Sequence, residues 1–206
     1  GTQSGLYRVS HVGGESAAES GESRAARQAL EAAAQRSSTL RHQLESYHGK
    51  NKPVAIGVAW PHLGSNDRFI RNAARIAIES QDVKLWKNRA LIETDRQASL
   101  TALLALARCG GRDTQNDLLY ALQRIPFDSL SEAQQLEYLR VLELSFARQG
   151  KPDAPMARMV LAKVDALYPA ADEPLNRELV QLLVYLEAPG VVGRTLALLD
   201  QARTQE

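Results

Sequence analysis

With 206 residues, the chain is long enough for one substantial domain or for a domain with an appendage. Apolar residues make up 44% of the sequence and charged residues 24%, which are ordinary values for a globular protein, while aromatic residues reach only 5%. The formal net charge of +1 excludes a global positive field for capturing nucleic acid, and the single cysteine, Cys109, excludes an intramolecular disulfide and a Cys-rich zinc site.

Residues 1–23 are predicted to form an extended tail and a flexible linker. Over 5–12, the alternation in Gly-Leu-Tyr-Arg-Val-Ser-His-Val indicates either a short strand that closes an upstream β-domain or a flexible tail. Residues 13–23 are rich in Gly, Ser and Glu, a composition that cannot bury a core. Because the first residue is Gly rather than Met, we expect the sequence to be part of a longer protein.

A linker helix is predicted within residues 24–50, with Ser23 as candidate N-cap and Gly49 as the C-terminal stop. A narrow seam runs along it at alternating spacings of three and four, and the first half of this seam is weak because its residues are small. We therefore expect the second half to dock on the following domain and the first half to fray. The seam consists of Leu30, Ala33, Ser37, Leu40, Leu44 and Tyr47.

Residues 53–206 show a continuous helical pattern interrupted by Pro and Gly, with short connections that favour antiparallel hairpins. We predict an all-α fold, specifically a HEAT-like αα-hairpin superhelix, or α-α solenoid. The unit length changes from about 27 to about 35 residues, so an irregular α-bundle is the structural alternative. The predicted helices cover 54–63, 66–80, 83–93, 95–109, 114–125, 132–149, 154–168, 174–188 and 190–203.

The apolar faces of three of these helices predict how they pack. The 66–80 helix gathers its apolar residues on one face, where small alanines allow close approach of a neighbour. The 174–188 helix is apolar almost all round over 179–186, so we expect it to be covered on most sides. The last helix is half polar, which suits the closing helix of a stack, with Val191, Leu198, Leu199 and Ala202 on its apolar side. The face on 66–80 comprises Ile70, Ala73, Ala74, Ala77 and Ile78.

Several segments together carry a resemblance to a known family. They are Leu6-Tyr7-Arg8-Val9, Trp60-Pro61-His62-Leu63-Gly64-Ser65, Asp67-Arg68-Phe69-Ile70-Arg71, Trp86-Lys87-Asn88-Arg89-Ala90-Leu91, Leu167-Tyr168-Pro169, Asn176-Arg177-Glu178-Leu179 and Leu182-Leu183-Val184-Tyr185-Leu186. The chain resembles the HEAT-like helical region of large planctomycete-type haem-binding proteins. Those proteins join a sugar-dehydrogenase-like β-propeller to a C-terminal c-type cytochrome domain.

The resemblance implies a connecting scaffold in a periplasmic or exported redox protein, and it transfers no chemistry to these residues. The family's haem attachment sequence, Cys-x-x-Cys-His, is missing here because Cys109 is followed by Gly-Gly. The expected contacts are with other domains of the parent chain or with a protein partner. No cofactor, nucleic acid or membrane segment is expected.

Arg68, Arg71 and Arg75 form a stripe at spacings of three and four on the 66–80 helix. Guanidinium groups suit carboxylates and phosphates, so this stripe is a candidate interaction surface for an anion or an acidic partner. The alternative is local pairing within the helix, of Asp67 with Arg71 and of Arg75 with Glu79.

Trp86 and Arg89 complete the candidate interaction surface, and Arg96 is expected near it. Tryptophan is favoured at binding hot spots, but a tryptophan among aliphatic residues also serves as a wedge between helices. Of Trp60 and Trp86, we expect Trp86 to be the more exposed.

The sequence contains no catalytic signature. Its histidines are too scattered for a metal site, no acidic pair stands out as an acid/base couple, and no nucleophile elbow or phosphate loop is present. Cys109 is expected to be a buried or half-buried apolar residue. We predict a non-enzymatic scaffold that makes protein–protein contacts. The alternatives are a domain that binds or chaperones a cofactor, as HEAT-like bilin lyases do, and a HEAT-like nucleic-acid-binding module.

Overall fold

The computed structural model describes residues 21–200, with side chains from residue 24 onward. The described part is helical and contains no strand, so the predicted all-α fold class is confirmed. The strand predicted over 5–12 lies outside the described residues. The α-helices are α1 Gly21–Glu45, α2 Val54–Ala59, α3 Arg68–Glu79, α4 Lys87–Ile92, α5 Arg96–Cys109, α6 Gln115–Gln123, α7 Glu132–Gln149, α8 Ala154–Asp165, α9 Glu173–Tyr185 and α10 Val191–Leu199.

The chain divides into two compact units, residues 1–39 and 40–206. In the first unit, the described residues belong to α1, and Leu30 there is 72% exposed. In the second unit, Leu44 is fully buried, and Leu40 and Tyr47 pack against the same core. The helix begins at Gly21, so Ser23 lies inside the first turn rather than at the N-cap.

Short polar side chains cap the starts of α3, α5, α7 and α8, because the first backbone N–H groups of a helix have no partner within it. The Asp67 carboxylate accepts from two N–H groups of α3, and Asp95 accepts from one of α5. Ser131 forms a capping box at the start of α7. At the other end of α7, Gly150 has a φ of +90°, a conformation that glycine adopts without steric cost.

Each helix from α2 to α10 lies close to particular neighbours. Contacts join α2 to α3, α4 to α5, α6 to α7, α8 to α9 and α9 to α10. A second set of contacts joins α3 to α5, α5 to α7 and α7 to α9, while α4 contacts α6 and α6 contacts α8. The helices α3, α5, α7 and α9 therefore follow one another side by side.

The apolar face predicted for α3 is confirmed, because every one of its residues is buried. Ala74 and Ala77 are fully inaccessible, and these small side chains let the neighbouring helices approach closely. On α5, Leu100, Leu103 and Leu106 are at most 1% exposed and supply much of the apolar volume beside them. The buried α3 residues are Ile70, Ala73, Ala74, Ala77 and Ile78.

The prediction that α9 is covered on most sides is wrong. Leu179, Leu182 and Leu183 are buried, but Val184 is 56% exposed and Tyr185 is 41% exposed. The apolar run is continuous in the sequence, yet neighbouring helices cover only part of the circumference of α9. The Tyr185 ring instead stacks on Phe146 of α7, with 5.4 Å between ring centroids.

The last helix also differs from its prediction. Val191 is buried and Leu198 is half-buried, but Leu199, which was assigned to the same side, is 62% exposed. Val192 and Leu196 are exposed as well, so α10 carries apolar side chains on its outward surface. Ala202 lies outside the described residues. Within 21–200, no helix combines the length and the apolar character needed to cross a bilayer.

Candidate functional site

The arginine stripe of α3 borders a cleft formed by α3, α5 and α7, called the α3–α5–α7 cleft below. Its volume is about 190 Å³. The structure thus brings together three predicted site residues, Arg68, Arg71 and Arg75, and adds residues from two helices that sequence reasoning did not connect with them. The lining residues are Arg68, Arg71, Asn72, Arg75, Leu100, Thr101, Leu104 and Glu137.

Arg71 connects two parts of the cleft wall. Its Nη1 donates to the Ser65 carbonyl at 2.6 Å, and its Nη2 donates to Oε1 of Glu137 at 3.2 Å. The other carboxylate oxygen of Glu137 accepts from Nε2 of Gln97 at 2.5 Å. The predicted pairing of Asp67 with Arg71 is wrong, because Asp67 caps α3 and the Arg71 guanidinium reaches across to α7 instead.

Arg75 lies one turn further along α3 and is held locally. It pairs with Glu79, which confirms the predicted i,i+4 pair, and its Nη2 donates to Oδ1 of Asn72 at 2.7 Å. The Glu79 carboxylate also contacts Nε of Arg108 at 2.9 Å. The side chains of Arg75 and Glu79 are only 14% and 11% exposed, so this pair has a fixed geometry.

Arg68 differs from the other two arginines because it is exposed at the rim of the cleft. Its guanidinium carbon lies 4.8 Å from the centroid of the Phe69 ring, and Phe69 itself is 57% exposed. A cation over an aromatic face is held in orientation while its N–H groups remain directed toward solvent.

Positive charge exceeds negative charge around the cleft. Three guanidinium groups in its lining, those of Arg68, Arg71 and Arg75, stand against the one carboxylate of Glu137. The α5 side of the cleft is apolar through Leu100 and the half-buried Leu104. A cleft of this composition suits a ligand that combines an anionic group with an apolar one.

The other two predicted site residues, Trp86 and Arg89, do not line this cleft. Trp86 is fully buried, and its indole N–H points to the Gln81 carbonyl at 3.4 Å, so the expectation that Trp86 is more exposed than Trp60 is wrong. Arg89 lies over the ring of Trp60 at 4.3 Å. Trp60 is a buried wedge whose indole N–H donates to Glu93 at 2.8 Å.

A second groove of about 420 Å³ lies beside Trp60. Burial acts to raise the pKa of Glu93, but hydrogen bonds from Trp60 and from the backbone of Asp95 and Thr94, together with the Arg89 charge, outweigh it and lower the pKa. Glu93 is therefore a carboxylate at neutral pH and holds the Trp60 indole in place. The groove is lined by Trp60, Pro61, His62, Gly64, Ser65, Glu93, Asp95 and Ala98.

Glu143 of α7 has a carboxyl neighbour on α9, Glu178. Burial, followed by the nearby Glu178 carboxyl group, raises the pKa of Glu143 to about 7, although Arg140 opposes the shift. The Arg140 guanidinium lies 3.1 Å from Oε2 of Glu143. Sequence reasoning missed this pair because its members lie on different helices, and no local spacing connects them.

Cationic side chains also bind backbone carbonyl groups of neighbouring hairpins, and we call these contacts the cation–carbonyl clamps. Each clamp joins residues that lie between 26 and 40 positions apart. The clamp residue Arg96 was expected near the arginine stripe, but it donates to Ser129 at 3.0 Å. The other clamps run from Arg112 to Gln149 and Lys151, from Arg124 to Leu91, from Lys163 to Gln123 and Ile125, and from Arg194 to Tyr168.

The cation–carbonyl clamps form because backbone carbonyl groups at helix ends need hydrogen-bond donors. The carbonyl groups at the end of a helix or turn lack partners within it, and a lysine or arginine from a neighbouring hairpin satisfies them. Burial lowers the pKa of Lys163, which donates to two such carbonyls at 3.1 and 2.9 Å. In the sequence, a lysine or arginine near a predicted helix end indicated that such a clamp could form. The sequence did not indicate which helix end the side chain reaches.

Among the described residues, no group of three or more His, Cys, Asp or Glu side chains is placed to hold a metal ion. Cys109 is exposed, contrary to its prediction, with its sulfur 3.8 Å from the Glu79 carbonyl oxygen. Desolvation of the sulfur and the Glu79 charge raise the pKa of the Cys109 thiol, which disfavours the nucleophilic thiolate.

No protein-family model, curated protein or solved structure matches the chain in comparisons with known proteins.

Proposed function

We propose that the chain is a non-enzymatic helical-repeat scaffold that positions other domains of its parent protein or holds a protein partner. The observation that carries the proposal is the succession of contacts from α3 to α5, α7 and α9, in which each of these helices also contacts the helix before it. Hairpins stacked in this order support the HEAT-like α-α superhelix of this proposal.

Side-by-side helices give such a scaffold an extended surface for protein contacts. In this chain the surface contains the α3–α5–α7 cleft, whose charged and apolar groups come from three helices that lie side by side. The cation–carbonyl clamps hold neighbouring hairpins together, so the cleft residues keep their relative positions. Fixed positions reduce the entropy lost when a partner binds.

The sequence resemblance to planctomycete-type haem-binding proteins supports a particular setting for this scaffold. In that setting, the neighbours are a β-propeller and a c-type cytochrome domain, and the protein is exported to the periplasm. The chain would then act as a spacer that fixes the distance and orientation between two functional domains.

A site-specific photocrosslinking experiment tests the proposal in the full-length parent protein in its own host. A photoreactive amino acid replaces Asn72, which lines the cleft and is exposed, or Arg158, which is exposed on α8. We expect the Asn72 position to yield one discrete product, mapped by mass spectrometry to another domain or to one protein, and Arg158 to yield none. No product at Asn72, or an equal spread of products from both positions, would contradict the scaffold function.

Two further measurements separate the proposal from its alternatives. A cofactor-binding domain would change the visible spectrum of added haem or bilin in a stoichiometric manner. A nucleic-acid-binding module would retain a labelled oligonucleotide at about 50 mM salt and lose it as salt rises. We expect neither response from the purified chain.

A further inference from the structure

We infer that the α3–α5–α7 cleft recognises an acidic, extended protein segment, with one carboxylate bound by Arg68 and a neighbouring apolar side chain placed against Leu104. This inference deepens the proposed scaffold function by naming the chemistry of the partner. It depends on the contacts within the cleft.

Glu137 shows that the wall of the cleft already accommodates a carboxylate. Its two oxygens accept hydrogen bonds from Arg71 at 3.2 Å and from Gln97 at 2.5 Å. The Arg71 guanidinium is further fixed by its bond to the Ser65 carbonyl at 2.6 Å. Glu137 occupies these donors, so they fix the cleft wall and show how guanidinium and amide donors bind a carboxylate at this place.

Arg68 supplies the cation for an incoming carboxylate. Arg71 and Arg75 are 19% and 14% exposed and are engaged with Glu137 and Glu79, whereas Arg68 is exposed at the rim. The Phe69 ring supports its guanidinium at 4.8 Å without neutralising the charge. A planar guanidinium can bind a carboxylate through two parallel hydrogen bonds, and a peptide carboxylate at the rim would meet it first.

The size and the apolar side of the cleft decide between classes of ligand. Small-molecule and cofactor pockets usually enclose about 300–1,000 Å³, so a cleft of about 190 Å³ suits a side chain or two. The half-buried Leu104 gives an apolar surface beside the charged groups. Glu137 in the lining repels any anion, so a peptide whose carboxylates are separated by neutral residues suits the cleft better than the closely spaced phosphates of a nucleic-acid backbone.

Fluorescence anisotropy with the 206-residue chain tests the inference. The probe is a fluorescein-labelled peptide of Glu-Leu-Gly-Glu repeats, compared with peptides in which Gln or Lys replaces Glu and with a labelled single-stranded oligonucleotide. We expect the Glu peptide to bind most tightly, with an affinity that falls as salt rises. Arg68→Glu should weaken this binding about tenfold or more, while Arg68→Lys should retain most of it.

Arg158→Glu on α8 is the matched control, because it makes the same change of charge on another exposed helix position. We expect this variant to bind the Glu peptide as the parent chain does, and circular dichroism should show that all variants are equally helical. Equal binding of the Glu and Gln peptides, an unchanged affinity in Arg68→Glu, or tighter binding of the oligonucleotide would overturn the inference.

The two proposals fail in different ways. If the Glu peptide does not bind but the Asn72 crosslink forms, the scaffold function stands and the partner has another chemistry. If the crosslink is also missing, the scaffold function itself is overturned.

Discussion

Arg71 and Glu137 lie 66 positions apart in the sequence, yet Nη2 of the arginine is 3.2 Å from Oε1 of the glutamate. The pair links α3 to α7 along the edge of α5, and Gln97 of α5 bonds the same carboxylate. Both side chains are partly shielded from solvent, with exposures of 19% and 35%. Salt therefore screens this pair less than it screens an ion pair on the open surface.

A double-mutant cycle with Arg71→Leu and Glu137→Leu measures the energetic coupling of this pair. We expect a coupling of about 1 kcal/mol in the free energy of unfolding, from urea titration. The control cycle uses Arg177 and Glu173, whose side chains are 57% and 60% exposed, and we expect about 0.5 kcal/mol or less there. Equal coupling in the two cycles would show that Arg71 does not brace the helices.

The carboxyl pair between α7 and α9 makes stability depend on pH. The pKa of Glu143 is about 7 in the folded chain against an ordinary value of 4.5, so the folded state retains a proton that the unfolded state releases. The stabilising contribution of protonated Glu143 is therefore fully present below about pH 4.5 and is lost as pH rises through about 7. The groups that act on it are Arg140 and Glu178.

Glu143→Gln, which imitates the protonated form, tests this dependence. Relative to this variant, the parent chain should lose on the order of 1–2 kcal/mol of unfolding free energy between about pH 5 and pH 8, allowing for partial solvent exposure. Urea titrations across that range measure the difference. Glu132→Gln, at an exposed position at the start of α7, should show the same dependence of unfolding free energy on pH as the parent chain. If Glu143→Gln also shows the same pH dependence of unfolding free energy as the parent chain, the pKa of Glu143 is not raised in the folded state.

Ala74 tests the close packing of α3, since its side chain is completely buried. Ala74→Asp would bury an unpaired charge and Ala74→Leu would overpack the helix contact, and each should cost roughly 2–4 kcal/mol. The control is Ala147→Leu, at an exposed position of α7, which we expect to change stability by about 0.5 kcal/mol or less. Thermal unfolding that is unchanged in both Ala74 variants would show that α3 does not pack as described.

Trp86 is placed in the core rather than on a contact surface, and truncation distinguishes the two. Trp86→Ala should destabilise the chain by about 3–5 kcal/mol, because it opens a large cavity among fully buried residues. Tyr120→Ala, at a residue that is 57% exposed, should cost less than about 1 kcal/mol. An unchanged free energy of unfolding for Trp86→Ala in urea titration would show that Trp86 does not belong to the packed core.

Local periodicity accounts for the parts of the fold that could be predicted from the sequence. The spacing of Ile70, Ala74 and Ala77 on one helix face was sufficient to identify a buried surface, because it depends only on the pitch of that helix. The same reasoning failed for Val184 and Tyr185. Apolar composition shows that a side chain tolerates burial, but the number of neighbouring helices decides whether it is buried.

The candidate site shows the same limit. Pairing of Arg75 with Glu79 follows from spacing along one helix and was predicted. The bond from Arg71 to Glu137 depends on which helices stand beside each other, and no pattern within α3 contains that information. Trp86 was misplaced for a related reason, since a tryptophan suits a core wedge and a contact surface equally well.

The cation–carbonyl clamps have a mechanical consequence. If a helix slid by one turn along its neighbour, each acceptor would move by about 5.4 Å, which is well beyond the reach of the donating nitrogen. The clamp from Lys163 would lose two acceptors at once, because it holds the carbonyls of both Gln123 and Ile125. Sliding is thus opposed at successive junctions, and a force applied to one hairpin should be transmitted to the next as a rigid displacement instead of being dissipated by slippage.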